Sequence, residues 1–423
     1  MLINFSVSNF SSFKDKVTLS MARTSIQKHK EHLIDNKWLS GVAIYGANAS
    51  GKTNLLRAIG FLHRFVSLQS ILPLNTLYSF MQKSDVPTEF EVGFESNGIK
   101  YFYRIVFDSK EILSEEMNFV EKSKVNLLFN RDKLSVEYGK HFQNDWYKNR
   151  SFPKDVALIA KIISDGVVDN KIKGYEHFVN IDEFFRGIAF FDPKTEVPAG
   201  NIYYGFQEPQ FKQFLTNLLK QADTGITSIE FKNLPSATPE QVAKDPDLSK
   251  LLPGHALIRQ VGDDYYIFKS EDGQVKVQNL IMKHGEVPFP LSKESAGTIK
   301  LFKLGFLLYS YKNMPGAKLM LLDEFDSLFH PFLSKILLKS LLNDSMGGQI
   351  IVALHNTMLL THEIWRVDEI WFTEKDEEGA SKLYPLTDIN PRFDKNLEKD
   401  YINGRYGAVP FLGGEEAWRE IIK

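Results

Sequence analysis

Cysteine is absent from the 423 residues, which excludes a disulfide framework and any zinc site built on thiolates, and fits a reducing compartment. An excess of charge of one sign is absent too. With 51 basic and 53 acidic side chains the net charge is −2, so no global field draws the chain onto nucleic acid or anionic lipid, and any DNA contact has to be a local patch. Long hydrophobic runs are missing: "LFKLGFLLYSY" at 301–311 is interrupted by Lys303 and is shorter than the ~18–20 residues of a membrane span. The start, "MLINFSVSNF", has no basic n-region, apolar core or small-residue cleavage site, so the expectation is a cytoplasmic protein without a membrane segment. Neither a repeat nor a low-complexity tract is visible, and H-E-x-x-H and G-x-S-x-G are both absent.

What is present is an ordinary globular composition, 43% hydrophobic and 25% charged, enough for one large domain or two to three smaller ones. Period-2 patterning predicts strands at 2–8, 89–95 and 100–107, the last two joined as a hairpin across "ESNG". Between 135 and 235, "KDVALIAKIISDGV" and "PQFKQFLTNLLKQA" carry apolar residues at helical spacing and predict a mainly helical insertion. Strands return in "ALIRQV" and "YYIFKS" around the turn "GDD". The expected organisation is therefore 1–134, an insertion at 135–235, and 236–423.

Three short apolar runs decide the chemistry: "GVAIY" at 41–45, "KLMLL" at 318–322 and "QIIVAL" at 349–354. Uninterrupted runs of this length suit strands buried on both faces of a parallel sheet. Each is followed at once by polar residues, and open α/β sheets bind ligands at the carboxyl ends of their strands.

After the first run comes "GANASGKT", which fits G-x-x-x-x-G-K-[ST] in its required strand–loop–helix context. Gly46, Ala47, Asn48, Ala49, Ser50 and Gly51 would turn successive N–H groups and a helix N-terminus toward a phosphate. Lys52 would reach the β- and γ-phosphates of ATP, the Thr53 hydroxyl would ligate Mg²⁺, and Asn54 follows in the same cradle. After the second run, Asp323 is placed to bind Mg²⁺ directly or through water, and Glu324 to polarise the attacking water. After the third, His355 would contact the γ-phosphate or orient that water. Ser295, Gly297 and Thr298 precede the helix-like "IKLFKLGFLLYSYKN". Alone they read as an N-cap, but a second anion-binding helix end in a P-loop chain calls for a phosphate.

The order P-loop, insertion, Ser-x-Gly helix, "LLDE", His resembles an ATP-binding-cassette ATPase of the RecF/SMC-like branch. The resemblance implies an α/β fold: an ABC-type ATPase head, with a P-loop mixed-sheet core, an antiparallel β subdomain and a helical insertion. It also implies a homodimer or higher homo-oligomer in which Ser295, Gly297 and Thr298 of one copy close over the γ-phosphate held by the P-loop of another. "NFSSF" at 9–13 is similar to the start of that branch, with Ser11 where a basic residue is usual. In "DSLFH", Ser327 matches the loop after the catalytic acids and His330 replaces its usual Asp. The glutamine loop of that branch is not located by spacing; Glu115–Glu116, after the 100–107 strand, is the candidate position. "ESAGT", "LLDEFDSLFHP" and the tail "RFDKNLEKDYINGRYGAVP" together look like a bacterial ATPase group of AAA type from phage-defence and abortive-infection loci, as in the PARIS system. That likeness implies a partner effector, an RloB-like or TOPRIM-type nuclease. The alternative is a RecF-type ATPase that clamps duplex DNA, for which "QKHKEH" at 27–32 and "NRDK" at 130–133 are the basic pieces. The segment Gly404–Gly407 reads as a structural turn packing on the core.

Overall fold

A computed structural model describes the chain except residues 68–85, 143–150, 166–172, 193, 195, 315, 317–318, 344–346, 390–395, 411 and 423. It divides into two compact units, one of residues 1–192 and 314–423, the other of residues 193–313.

The first unit is built on two sheets. The six-stranded sheet runs in the order Ile188–Phe191, Leu319–Leu322, Gln349–Ala353, Gly41–Tyr45, Ile370–Lys375, Ser381–Pro385. Its first five strands are parallel and the last is antiparallel. The strands 41–45, 319–322 and 349–353 are buried at every position, as their unbroken apolar runs require. Their register positions the chemistry: Phe191 pairs with Leu322, Leu322 with Val352, and Val352 with Ala43, so all four strands end at the same edge. The residues that follow them, Gly46, Asp323 and His355, emerge together.

The second sheet of this unit has seven antiparallel strands and includes the expected hairpin, Thr88–Ser96 with Ile99–Phe107, turned by Asn97 and Gly98 at positive φ. The helix Lys52–Ser67 buries Leu55, Leu56, Ile59, Leu62, Phe65 and Val66. Its Phe61 packs at 5.7 Å from Phe90 and 6.1 Å from Phe107, joining the helix to the antiparallel sheet in one continuous core.

Two sequence expectations change here. Glu115 is no glutamine-loop surrogate: it is fully buried and lies 3.5 Å from the equally buried Arg131. Its carboxylate accepts from the Tyr103 hydroxyl and from the main-chain N–H groups of Leu158 and Ile159, where the helix Leu158–Ser164 begins. Arg131 spends its remaining donors on the carbonyls of Lys133, Pro153 and Val156, so the centre of "NRDK" is unavailable to a nucleic-acid phosphate. Burial pushes the Glu115 pKa up, and the Arg131 charge opposes that shift. Truncating Glu115 to Ala strands a buried cation and two N–H groups. The expected loss is about 3–5 kcal/mol, read as a lower midpoint in denaturant unfolding, whereas Glu116→Ala should change little.

The second unit, described by itself, holds a five-stranded antiparallel sheet (228–237, 274–284, 264–271, 256–261, with 287–290 on 274–284) and the helices Ala199–Gly205, Pro209–Gln221, Pro239–Lys244 and Ala296–Asn313. The segment 135–235, expected as one helical insertion, is instead shared between the units. Its helices 158–164 and 175–186 and the strands 135–138 and 188–191 belong to the first, and strand 228–237 opens the sheet of the second. The compact unit extends to 313, so the Ser295 helix falls within it. The tail turn does pack on the core. Tyr406 is buried, its carbonyl accepts from the Tyr384 hydroxyl at 2.9 Å, and its ring lies 5.8 Å from Phe372.

Candidate nucleotide site

The loop Gly46–Gly51 links a fully buried strand to the N-terminus of the helix Lys52–Ser67. Gly51 sits at φ +123, and a Cβ there would lie 2.5 Å from Ser381 Oγ; at Gly46 it would lie 2.2 Å from the Thr373 carbonyl. Only glycine fits either position. Asn48 and Ala49 are exposed at the tip, with Ala49 at φ +61.

The loop is braced from behind by residues that the sequence reading missed. Ser50 Oγ is 2.7 Å from Thr373 Oγ1. The Ser381 hydroxyl donates to the Ser50 carbonyl at 2.6 Å and approaches Ser12 Oγ at 2.7 Å. Asn54 donates to Ser12 Oγ at 2.8 Å, so its side chain serves this brace. Ser12 is delivered by the tight turn of "NFSSF", closed by paired hydrogen bonds between Phe10 and Phe13 with Ser11 at φ +53. The resemblance of "NFSSF" was the one available signal for Ser12; nothing local marked Thr373 or Ser381.

Lys52 is buried, its ammonium donating to the Gly46 and Ala47 carbonyls at 2.7 and 3.0 Å. Burial lowers its pKa to about 8, against the opposing pull of Asp323, Asp326 and Glu324. Thr53 Oγ1 donates to Asp323 Oδ1 at 3.1 Å, joining the P-loop helix to the end of the acidic strand. Burial raises the Asp323 pKa; the Thr53 hydrogen bond works the other way. Glu324 is exposed and held at φ +45, a left-handed conformation that costs a non-glycine residue of order 1–3 kcal/mol. Ser327 closes the turn behind it by donating to the Glu324 carbonyl at 2.8 Å.

His355 follows the third strand with an exposed ring. The shielding it does receive, and next the Lys52 charge, lower its pKa and favour neutral imidazole. Its placement comes from Asp326, whose Oδ2 accepts from the main-chain N–H groups of His355, at 2.9 Å, and of Asn356. Asp326 is a further residue missed in sequence; its signal was a third acid three positions after Asp323.

Lys52, Thr53, Asp323, Glu324 and His355 thus share one edge of one unit. Ser295, Gly297 and Thr298 lie in the other unit, where Ser295 caps the helix Ala296–Asn313: Thr298 N–H donates to Ser295 Oγ at 3.1 Å, and the two hydroxyls are 2.9 Å apart.

The glycine cradle at a helix N-terminus, an inward lysine, and an all-oxygen hydroxyl–carboxylate pair fit a Mg²⁺-bound nucleoside triphosphate. They define a P-loop nucleotide-binding α/β protein. The chain belongs to the family described as "AAA domain, putative AbiEii toxin, Type IV TA system", whose model matches residues 42–361. No curated protein matches the sequence. Among solved structures, the chain is similar to the SmcHead bound to the C-winged helix domain of ScpA (14% identity, 95% of this chain and 99% of that chain covered, TM-score 0.47). It is also similar to the SMC head domain from Thermotoga maritima (14% identity, 91% and 98% covered, TM-score 0.39). Among the described residues, no helix is long and apolar enough to cross a membrane.

Proposed function

We propose that the protein is an ABC-type ATPase that closes head to tail with a second copy around ATP and reopens on hydrolysis. The observation that carries this reading is the Thr53–Asp323 hydrogen bond at 3.1 Å, which brings a P-loop hydroxyl and a strand-end acid into one pair with Glu324 beside it. When bound, Mg²⁺ would be held by Thr53 and Asp323 and would neutralise phosphate charge. Lys52 and the N–H groups of residues 46–53 hold the triphosphate. Glu324 takes the proton of the attacking water, and neutral His355 accepts a hydrogen bond from that water or donates one to the γ-phosphate. Ser295, Gly297 and Thr298 of the second copy supply the other wall through their helix end. The energy of gripping the triphosphate from both sides would drive closure.

Family membership and the resemblance of "ESAGT" and "LLDEFDSLFHP" to phage-defence ATPases support a further step: the cycle holds or releases a separate nuclease-like effector.

Nucleotide binding has a pH signature. Without nucleotide, Lys52 loses its proton near pH 8. A bound triphosphate favours the charged ammonium and raises that value again, so affinity is greatest below pH 8 and weakens as pH rises through it. Calorimetry of ATP binding near pH 8.5, in buffers of different ionisation enthalpy, should therefore show proton uptake, which Lys52→Met abolishes. Binding that is independent of Lys52 and of Mg²⁺ would refute the site.

A further inference from the structure

The segment "QKHKEH" at 27–32 is more than a basic patch. His29, at φ +50, enters the short turn Lys30–His32 and lays its ring parallel to that of His32, with centroids 4.9 Å apart and planes 13° from parallel. Each ring is anchored from outside. His29 Nε2 lies 2.8 Å from the His362 carbonyl, to which it must donate, and this leaves Nδ1 as the bare nitrogen of the neutral ring. His32 Nδ1 lies 3.1 Å from both oxygens of the buried Glu369, and donation there leaves Nε2 bare. These are the outer contacts that orient metal-ligating imidazoles.

The bare nitrogens face acceptors. His29 Nδ1 is 2.8 Å from Glu31 Oε1, and His32 Nε2 is 3.0 Å from Asn343 Oδ1. Acceptors set against these nitrogens are satisfied either by a proton on each of them or by a metal cation that displaces those protons. One ligand atom from each of His29, Glu31 and His32 lies within 4.8 Å of the others, in a cleft of about 470 Å³. Lys339, on the rim of that cleft, has its charge paired with Glu363 at 3.2 Å.

We propose that His29, Glu31 and His32, with Asn343 at the edge, form a binding site for a divalent transition metal, Zn²⁺ by preference. Two imidazoles and one carboxylate are borderline donors that suit Zn²⁺ rather than Mg²⁺ or Ca²⁺, and a water completes four-coordination. The site ties the 27–32 segment to the last residue of the helix Pro331–Asn343, which follows Asp323 and Glu324 in the chain. Metal there would stiffen the support of the acidic strand end without touching nucleotide. The proposal is independent of the ATPase reading.

The test is a Co²⁺ titration of the untagged full chain after removal of metal with chelator, followed by visible absorption. One equivalent should give d–d bands that Zn²⁺ abolishes, and Zn²⁺ should raise the melting temperature. His29→Ala and Glu31→Gln, at partly or largely exposed side chains (17% and 53%), should fold and lose both effects. Asp323→Asn, in the nucleotide site, should keep them. Absence of bands at one equivalent, bands that survive His29→Ala, or bands lost in Asp323→Asn would overturn the site.

Discussion

Glu324→Gln is expected to lower the rate of ATP turnover by about 10²–10⁴-fold while leaving ATP binding in place. The substitution removes the proton acceptance proposed for the exposed carboxylate at the strand end, and preserves side-chain volume and the turn closed by Ser327. Asp323, bonded to Thr53, still completes the metal pair. The closed state should therefore accumulate, seen as an ATP-dependent shift to larger mass in light scattering. Unchanged turnover would remove Glu324 from its role. The same loss accompanied by loss of binding would mean that Glu324 holds the nucleotide rather than the water.

Ser295→Asp carries the second large effect. Aspartate caps a helix as well as serine does, so the Thr298 N–H stays satisfied and the helix Ala296–Asn313 should retain its stability. What changes is charge. If the helix end faces a γ-phosphate on a second copy, a carboxylate there opposes closure, and like charges facing across an interface cost several kcal/mol. Turnover should fall about a hundredfold or more with an unchanged melting temperature. If Ser295 is only a cap, turnover survives intact.

Much of the candidate nucleotide site's local geometry was legible in sequence because local constraints write it. The glycines of 46–51 are dictated by φ and by backbone approach, and the strands 41–45, 319–322 and 349–353 by unbroken burial. The brace behind the loop was not legible. Ser12, Thr373 and Ser381 meet Ser50 and Asn54 only through pairings of distant segments, and single hydroxyls carry no local pattern. Asp326 was hidden for a similar reason: it acts on main chain 29 and 30 residues further on. The unit boundary was misplaced because "IAFF" at 188–191 is too short to be told from a loop or helix fragment by periodicity, yet it is the edge strand of the parallel sheet. Arg131 looked like surface charge in "NRDK", where alternation could not reveal its buried partner Glu115.

The central claim, a pocket shared between two copies, is tested most directly by mixing two chains that are each inactive, Lys52→Ala and Ser295→Asp. In a head-to-tail pair one composite site is doubly defective, and the other joins an intact P-loop to an intact Ser295 helix. Random mixing of equal amounts should then recover about a quarter of the unmutated rate, rising with concentration. No recovery at concentrations where the chains associate, or a wild-type rate per chain that is indifferent to dilution, would contradict the account.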